Sequence, residues 1–365
     1  MKFAITTKRA GFDGRAAFAR MQYAFEQAWR ARAAELTETF CTFANRHVRM
    51  RIAGRGLAKR MGAAFAHLIT EFQGSPDLSI DLWDAAETAI PCPLEPEPVE
   101  EHMLQLTSYV EFGLILGGMD ERFLGCQRPH VLCWFDRRSR HVVASVAHYD
   151  LLSVYDCGKP LHFPLLLWHR EEGVEVIHAA LVSRDGQGVL FAGKGGAGKS
   201  SLALACLEAG FTYLGDDYIS LDASNGGGFV GHSLYSATWV MADHLACFPR
   251  LAPYAAYPRH PDREKTLVLL SQVSPRQLSG SAPIRVIVLP HFSNDGKGRI
   301  RSASKAEAIL ALAPTTINLL LSAGPHTLDK LARLVASAPC YWLEFGPDMS
   351  EIPSTVDELL ARADH

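Results

Sequence analysis

The chain has 365 residues, 48% of them hydrophobic and 21% charged, with a formal net charge of −3. This excludes disordered, collagen-like and disulfide-scaffold proteins and leaves room for about two globular domains of roughly 100 to 200 residues each. The small net charge gives no overall pull toward nucleic acid or an anionic membrane, so neither is an expected partner.

Eight cysteines (Cys41, Cys92, Cys126, Cys133, Cys157, Cys206, Cys247 and Cys340) are scattered, with no CxxC pair and no zinc-ligand spacing. A reduced, cytoplasmic chain is expected. The opening MKFAITTKRAGFDGR lacks the apolar stretch of a secretory signal. The apolar runs at 161–168 and 309–323 are too short, or too interrupted by Pro and Asn, for a membrane-spanning helix of about 20 residues.

The first sixty residues are basic, and Met21, Phe25 and Trp29 recur at intervals of four within 14–36, which predicts a helix with one apolar side. Its charges suit a solvated face or, less simply, a docking arm. Residues 47–52 alternate as a strand, 53–69 read as an amphipathic helix and 78–83 as a further strand, together a small α/β unit. The Pro- and Glu-rich segment 91–101 suits an exposed connector or an internal loop. Strands at 131–135 and 141–146 flank a polar turn. The expected division is an α/β N-terminal domain over 1–150 and a second domain over 151–365.

In the second part, 174–182 and 188–192 read as strands joined by a turn containing Asp185-Gly186. A helix over 199–209, closed by Gly210, and strands at 211–214 and 218–221 follow. Further strands are expected at 266–270, 285–289 and 340–345, and helices at 305–312, 327–337 and 354–361.

Gly193-Lys194-Gly195-Gly196-Ala197-Gly198-Lys199-Ser200 fits GxxxxGK[ST] between a strand and a helix. Glycines let backbone N–H groups turn inward around a polyphosphate, Lys199 is placed for the β- and γ-phosphates, and the Ser200 hydroxyl for Mg²⁺. Asp216-Asp217 lies at the end of an expected strand. The pair is either a turn, since Gly and Asp favour turns, or a site sharing metal binding and proton acceptance. His178, on the strand before the loop, is either a core histidine or a loop-end residue, depending on strand register.

Together, IHAALV with His178, GKGGAGKS and YLGDDYISL resemble the C-terminal domain of HPr kinase/phosphorylase and its kinase-like bacterial relatives. The resemblance spans about residues 170–230 and extends more loosely through Pro261-Asp262-Arg263-Glu264-Lys265. It implies an α/β P-loop kinase domain that uses ATP and Mg²⁺ to phosphorylate a serine hydroxyl of a protein or peptide acceptor, as peptide-tailoring kinases do. By this resemblance Asp216 is the base, Asp217 organises the metal and His178, His178 supports the acid pair, and Lys265 is a charge-stabilising cation. The nucleotide would be held from Gly193 through Ser201, and Mg²⁺ by Ser200 and Asp217. Ser201 stands where the HPr enzymes usually carry Glu, and their HPr-gripping segment is not recognisable, which points away from HPr as acceptor. The N-terminal domain has a substrate-recognition role by position.

Two alternatives stand beside this reading: a kinase of a small hydroxylated metabolite, and a signature-lysine ATPase resembling MinD, ParA and ArsA, for which Lys194 fits KGGxGK[ST]. The sequence leaves a homo-oligomer open.

Overall fold

The computed structural model describes residues 6–7, 13–31, 35–99, 113–118, 121–223, 227–241, 244–255, 265–294, 299–319 and 325–363. The chain divides into two compact units, Met1–Trp168 and His169–His365, the division falling within the helix His162–Glu171.

The first unit begins with the helix Gly14–Arg30. The Asp13 carboxylate accepts hydrogen bonds from the N–H groups of Arg15 and Ala16, satisfying two of the donors that a helix start leaves over. Phe18, Met21, Phe25 and Ala28 lie buried on one face, packed with Trp83, Trp134 and Val143. Its strands are β1 (Thr6–Thr7), β2 (Leu36–Phe43), β3 (Arg46–Ala53), β4 (Ile69–Thr70), β5 (Leu78–Asp84), β6 (Leu114–Leu116), β7 (Phe123–Arg128), β8 (Val131–Asp136) and β9 (His141–Val146). They form one nine-stranded sheet in the order β1-β6-β7-β8-β9-β5-β3-β2-β4.

That order corrects one expectation. Residues before 90 are not a unit of their own, because β5 pairs in parallel with both β3 and β9, so the early strands are half of a larger sheet. Of the two alternatives for the Pro/Glu-rich segment, its described part is the internal loop and not a connector between units. Cys92, Leu94 and Val99 pack against the core under the first helix, and Glu97 exchanges backbone hydrogen bonds with the Gln127 side chain at 2.6 and 2.7 Å. The predicted helix over 53–69 is an α-helix, Arg55–Gly62, that tightens into a 3₁₀ helix, Ala63–Leu68.

In the second unit, β10 (Glu175–Ile177), β11 (Ala179–Arg184), β12 (Gln187–Ala192), β13 (Thr212–Gly215), β14 (Ile219–Ala223), β15 (Phe229–Ser233) and β18 (Ser281–Phe292) lie in the order β10-β14-β15-β18-β12-β11-β13. β20 (Cys340–Phe345) adds in parallel to β18, and β19 (Arg299–Ser302) pairs with β20. β16 (Ala237–Met241) and β17 (Lys265–Leu269) form a separate ribbon.

Alternate residues of β12 face opposite layers, as the period of a strand demands. Val189 and Phe191 join the cluster with helices Lys199–Glu208 and Ile352–Ala363; Leu190 and Ala192 join that with helices Lys305–Leu319 and Pro325–Ser337. The sheet is therefore covered by helices on both faces, a three-layer α/β arrangement. Asp185 and Gly186 both have positive φ (50° and 78°), the signature of a type I′ hairpin turn. Among the described residues no helix is long and apolar enough to cross a membrane.

Candidate functional site

Register decides what sits near the glycine-rich loop. The expected single strand over 174–182 is broken at His178: β10 pairs with β14, whereas β11 pairs with β12. Ala179 opposes Ala192 in the last pair of the hairpin, so His178 and Gly193 both lie just beyond its loop end. On the other edge of β11, Leu181 opposes Gly215, which brings Asp216 and Asp217 to that same end. The loop strand and the acid strand are not neighbours, because β11 lies between them. Two strand spacings put the loop and the acids about 10 Å apart.

The loop has the backbone that its glycines allow. Gly196 and Gly198 have φ of 79° and 98°, a region L-residues rarely enter. A Cβ at Gly198 would collide with the Phe345 ring, while Gly195 and Gly196 face open space. Lys199 opens the following helix and is buried; its ammonium donates to the carbonyls of Gly193 (2.8 Å) and Lys194 (3.2 Å). Burial, with a smaller contribution from Lys265, lowers the Lys199 pKa to about 8 against the opposing charges of Asp217 and Asp216. Ser200 and Ser201 are half-buried in the first turn of the helix, and Lys194 is exposed.

The two acids differ. Asp216 is buried and its Oδ2 accepts a hydrogen bond from Thr238 Oγ1 at 2.9 Å. Asp217 keeps 23% of its side chain exposed, lies 3.5 Å from His178 Nε2, and holds a left-handed φ of 63°. The tight turn sends the two consecutive carboxylates to different neighbours, Asp216 to Thr238 and Asp217 to His178. The His178 N–H donates to Thr316 Oγ1 at 3.3 Å, and its ring meets Tyr218 edge-on at 6.3 Å.

Thr238 and Tyr213 went unnoticed in the sequence. The Tyr213 phenol is buried, and burial, then the charge of Asp216, raises its pKa well above the usual value. The segment holding Thr238 shows only a β-branched and aromatic run, which announces a strand and nothing about its partner. Lys265 begins β17, opposite Met241. Pro261 to Glu264 lie outside the described residues.

No group of three or more His, Cys, Asp or Glu side chains suited to a metal occurs among the described residues. Mg²⁺ at a phosphate site takes only one or two carboxylates, with substrate phosphates and waters completing its shell, and the Asp217 carboxylate and the Ser200 hydroxyl are oxygen donors of the kind it takes.

No family model matches the chain, and no curated protein matches it. Among solved structures, it is similar to the Hpr(Ser) kinase/phosphatase from Coxiella burnetii, with 14% identity over 52% of this chain and 96% of that chain and a TM-score of 0.28.

Proposed function

We propose that residues His169–His365 form an ATP-dependent phosphotransferase that moves the γ-phosphoryl group to a serine or other hydroxyl of a peptide or protein. The observation that carries this reading is the register of β11, which gathers His178, the Gly193–Ser200 loop and the Asp216–Asp217 pair at one end of three adjacent strands. The loop amides and Lys199 hold the polyphosphate. Lys199 exchanges its two carbonyl partners for phosphate oxygens, an exchange favoured because a buried ammonium gains more from an anion than from neutral carbonyls.

In the transfer, the acceptor oxygen attacks the γ-phosphorus, the bond to the β-bridging oxygen breaks, and the acceptor proton passes to Asp216, held in place by Thr238. Asp217, with His178 against it, and Ser200 would hold Mg²⁺, which supplies charge neutralisation to the phosphates. Lys265 adds positive charge nearby. Most of the acceleration comes from positioning and electrostatics. A cytoplasmic location goes with this reading, since ATP and reduced thiols both belong there, and the N-terminal unit is proposed to recognise the acceptor.

The deciding experiment is to incubate γ-labelled ATP with the protein and a lysate fractionated into small molecules, peptides and proteins. Label in a peptide or protein fraction, acid-stable as a phosphoserine is, supports the reading. Label confined to small molecules moves the acceptor to a metabolite, and release of inorganic phosphate alone makes the protein an ATPase.

A further inference from the structure

The strand order β13-β11-β12-β18-β20 gives the loop two unlike flanks. Asp216, Asp217 and His178 stand on the β11/β13 flank. On the other, Pro290 and His291 near the end of β18, and Trp342 in β20, border a hollow of about 360 Å³ whose near wall is the loop itself, Gly193, Lys194 and Ala197. A nucleoside triphosphate is a linear molecule with chemically different ends. If its γ-phosphate faces the acids, its ribose and base leave the loop in the opposite direction, toward this hollow.

Two aromatic side chains border the hollow. Trp342 is fixed in orientation: its Nε1–H donates to Glu307 Oε1 at 2.9 Å, and Glu307 is itself held by the Ser304 N–H and hydroxyl at 2.8 Å each. His291 meets the indole edge-on, with ring centroids 6.3 Å apart. The Arg301 guanidinium lies 4.8 Å from the indole centroid, in a second hollow of about 480 Å³ that shares Trp342 and His291 as its wall. Leu310, 72% exposed, supplies an apolar rim on the loop side. An exposed leucine beside a half-buried tryptophan and an exposed histidine, next to a phosphate loop, is apolar surface left available to a ligand. The volume falls within the range of about 300 to 1,000 Å³ typical of small-molecule sites.

We propose that this hollow is the nucleobase subsite of the protein, with Trp342 and His291 as its aromatic wall and a purine as its occupant. The inference rests on the reading of Gly193–Ser200 as a nucleotide-phosphate loop. Purines are favoured because the larger ring system covers more of an aromatic wall.

The test compares Mg-ATP with Mg-tripolyphosphate, which offers the phosphates without the base. Affinities are measured by calorimetry on the full chain for the wild type, W342A, W342F and H291A, with a thermal melt to confirm folding. The expected result is that wild type binds ATP more tightly than tripolyphosphate. W342A loses about fivefold or more for ATP with tripolyphosphate unchanged, W342F stays close to wild type, and H291A, on an exposed residue, shows a smaller loss in the same direction. CTP should bind more weakly than ATP to the wild type, a difference W342A erases. If ATP affinity is unchanged in both W342A and H291A while tripolyphosphate still binds, the subsite is overturned and the phosphate loop stands. Equal losses for ATP and tripolyphosphate also overturn it, making Trp342 a support of the loop. If W342A does not fold, the H291A comparison and the CTP preference decide alone. Failure of the wild type to bind either compound overturns the loop reading itself.

Discussion

The buried charges of the first sheet and those near the glycine-rich loop have different partners. In the first, carboxylates and guanidinium groups are locked together across the sheet. Arg51 of β3 grips Asp81 of β5 with two hydrogen bonds of 2.8 and 2.7 Å, and His141 closes on the same carboxylate at 2.7 Å. Arg122 holds Asp136 in the same two-pronged way, and Arg128 meets Asp156 at 2.6 Å. In the second unit the buried Lys199 bonds to backbone carbonyls, and the buried Asp216 to a threonine hydroxyl. A saturated ion pair is a scaffold with nothing left to offer a ligand. An ammonium resting on neutral carbonyls keeps its charge for an incoming anion.

The sharpest way to break this contrast is Asp216→Asn. An amide accepts no proton from a hydroxyl, so transfer should fall by about 10² to 10⁴ while nucleotide affinity, read by calorimetry, is retained. Asp81→Asn is its counterpart in the first unit. It leaves Arg51 and His141 beside a neutral amide and should cost about 3 to 5 kcal/mol of stability in urea unfolding, with the transfer chemistry unaffected in the protein that stays folded.

The same pair sets a pH dependence. Burial raises the Asp81 pKa, but the hydrogen bonds and charges of His141 and Arg51 outweigh it and hold the carboxyl below its ordinary range. A depressed carboxyl contributes stability above the unfolded-state pKa of about 4, and that contribution is lost as pH falls through the folded value. Acid unfolding of wild type should therefore steepen below about pH 4, and Asp81→Asn should flatten that limb of the curve.

Lys199 gives a smaller effect of opposite sign. Its folded pKa is lowered to about 8, so the free protein loses the ammonium's proton as pH rises through that value. Polyphosphate binding favours the charged form and should draw a proton from the buffer near pH 8 to 9. Calorimetry in buffers of different ionisation enthalpy should show this uptake and an affinity that falls above pH 8. Lys199→Met should abolish the uptake and weaken ATP binding by about 10- to 100-fold. The smallest change is expected for Lys194→Ala, where the side chain is exposed at the outer edge of the loop; turnover within about threefold of wild type fits the phosphotransferase reading. Concerted loss of turnover and self-association in that variant, by light scattering, would favour the signature-lysine ATPase.

The glycine-rich loop was legible because its constraints are local. Positive φ at Gly196 and Gly198, a following helix and an Asp-Gly turn are written in consecutive residues. The helix from Gly14 and the hairpin of β8 and β9 were legible for the same reason: a period of 3.6 or 2 and a polar turn need no distant partner. β2, β7, β15 and β16 were not foreseen. β2 mixes polar and apolar residues at a half-buried surface, and β7, β15 and β16 are short, mostly buried runs without a two-residue alternation, so pairing with a neighbour fixes them as strands.

The sequence by itself singled out the candidate groups: the loop, the two acids, His178 and the lysines. Only the tertiary structure decided where they stand. A strand alternates by residue, so one step of register moves a side chain to the opposite face, and nothing local to His178 says whether it meets Gly193 or the far end of the hairpin. The pairing of Ala179 with Ala192 and of Leu181 with Gly215 settled that, inserted β11 between loop and acids, and brought Thr238 from a ribbon 22 residues downstream onto Asp216. The aromatic wall on the loop's other flank arose likewise. His291 and Trp342 are far apart in sequence and become neighbours because β18 and β20 run in parallel, a contact no local pattern encodes.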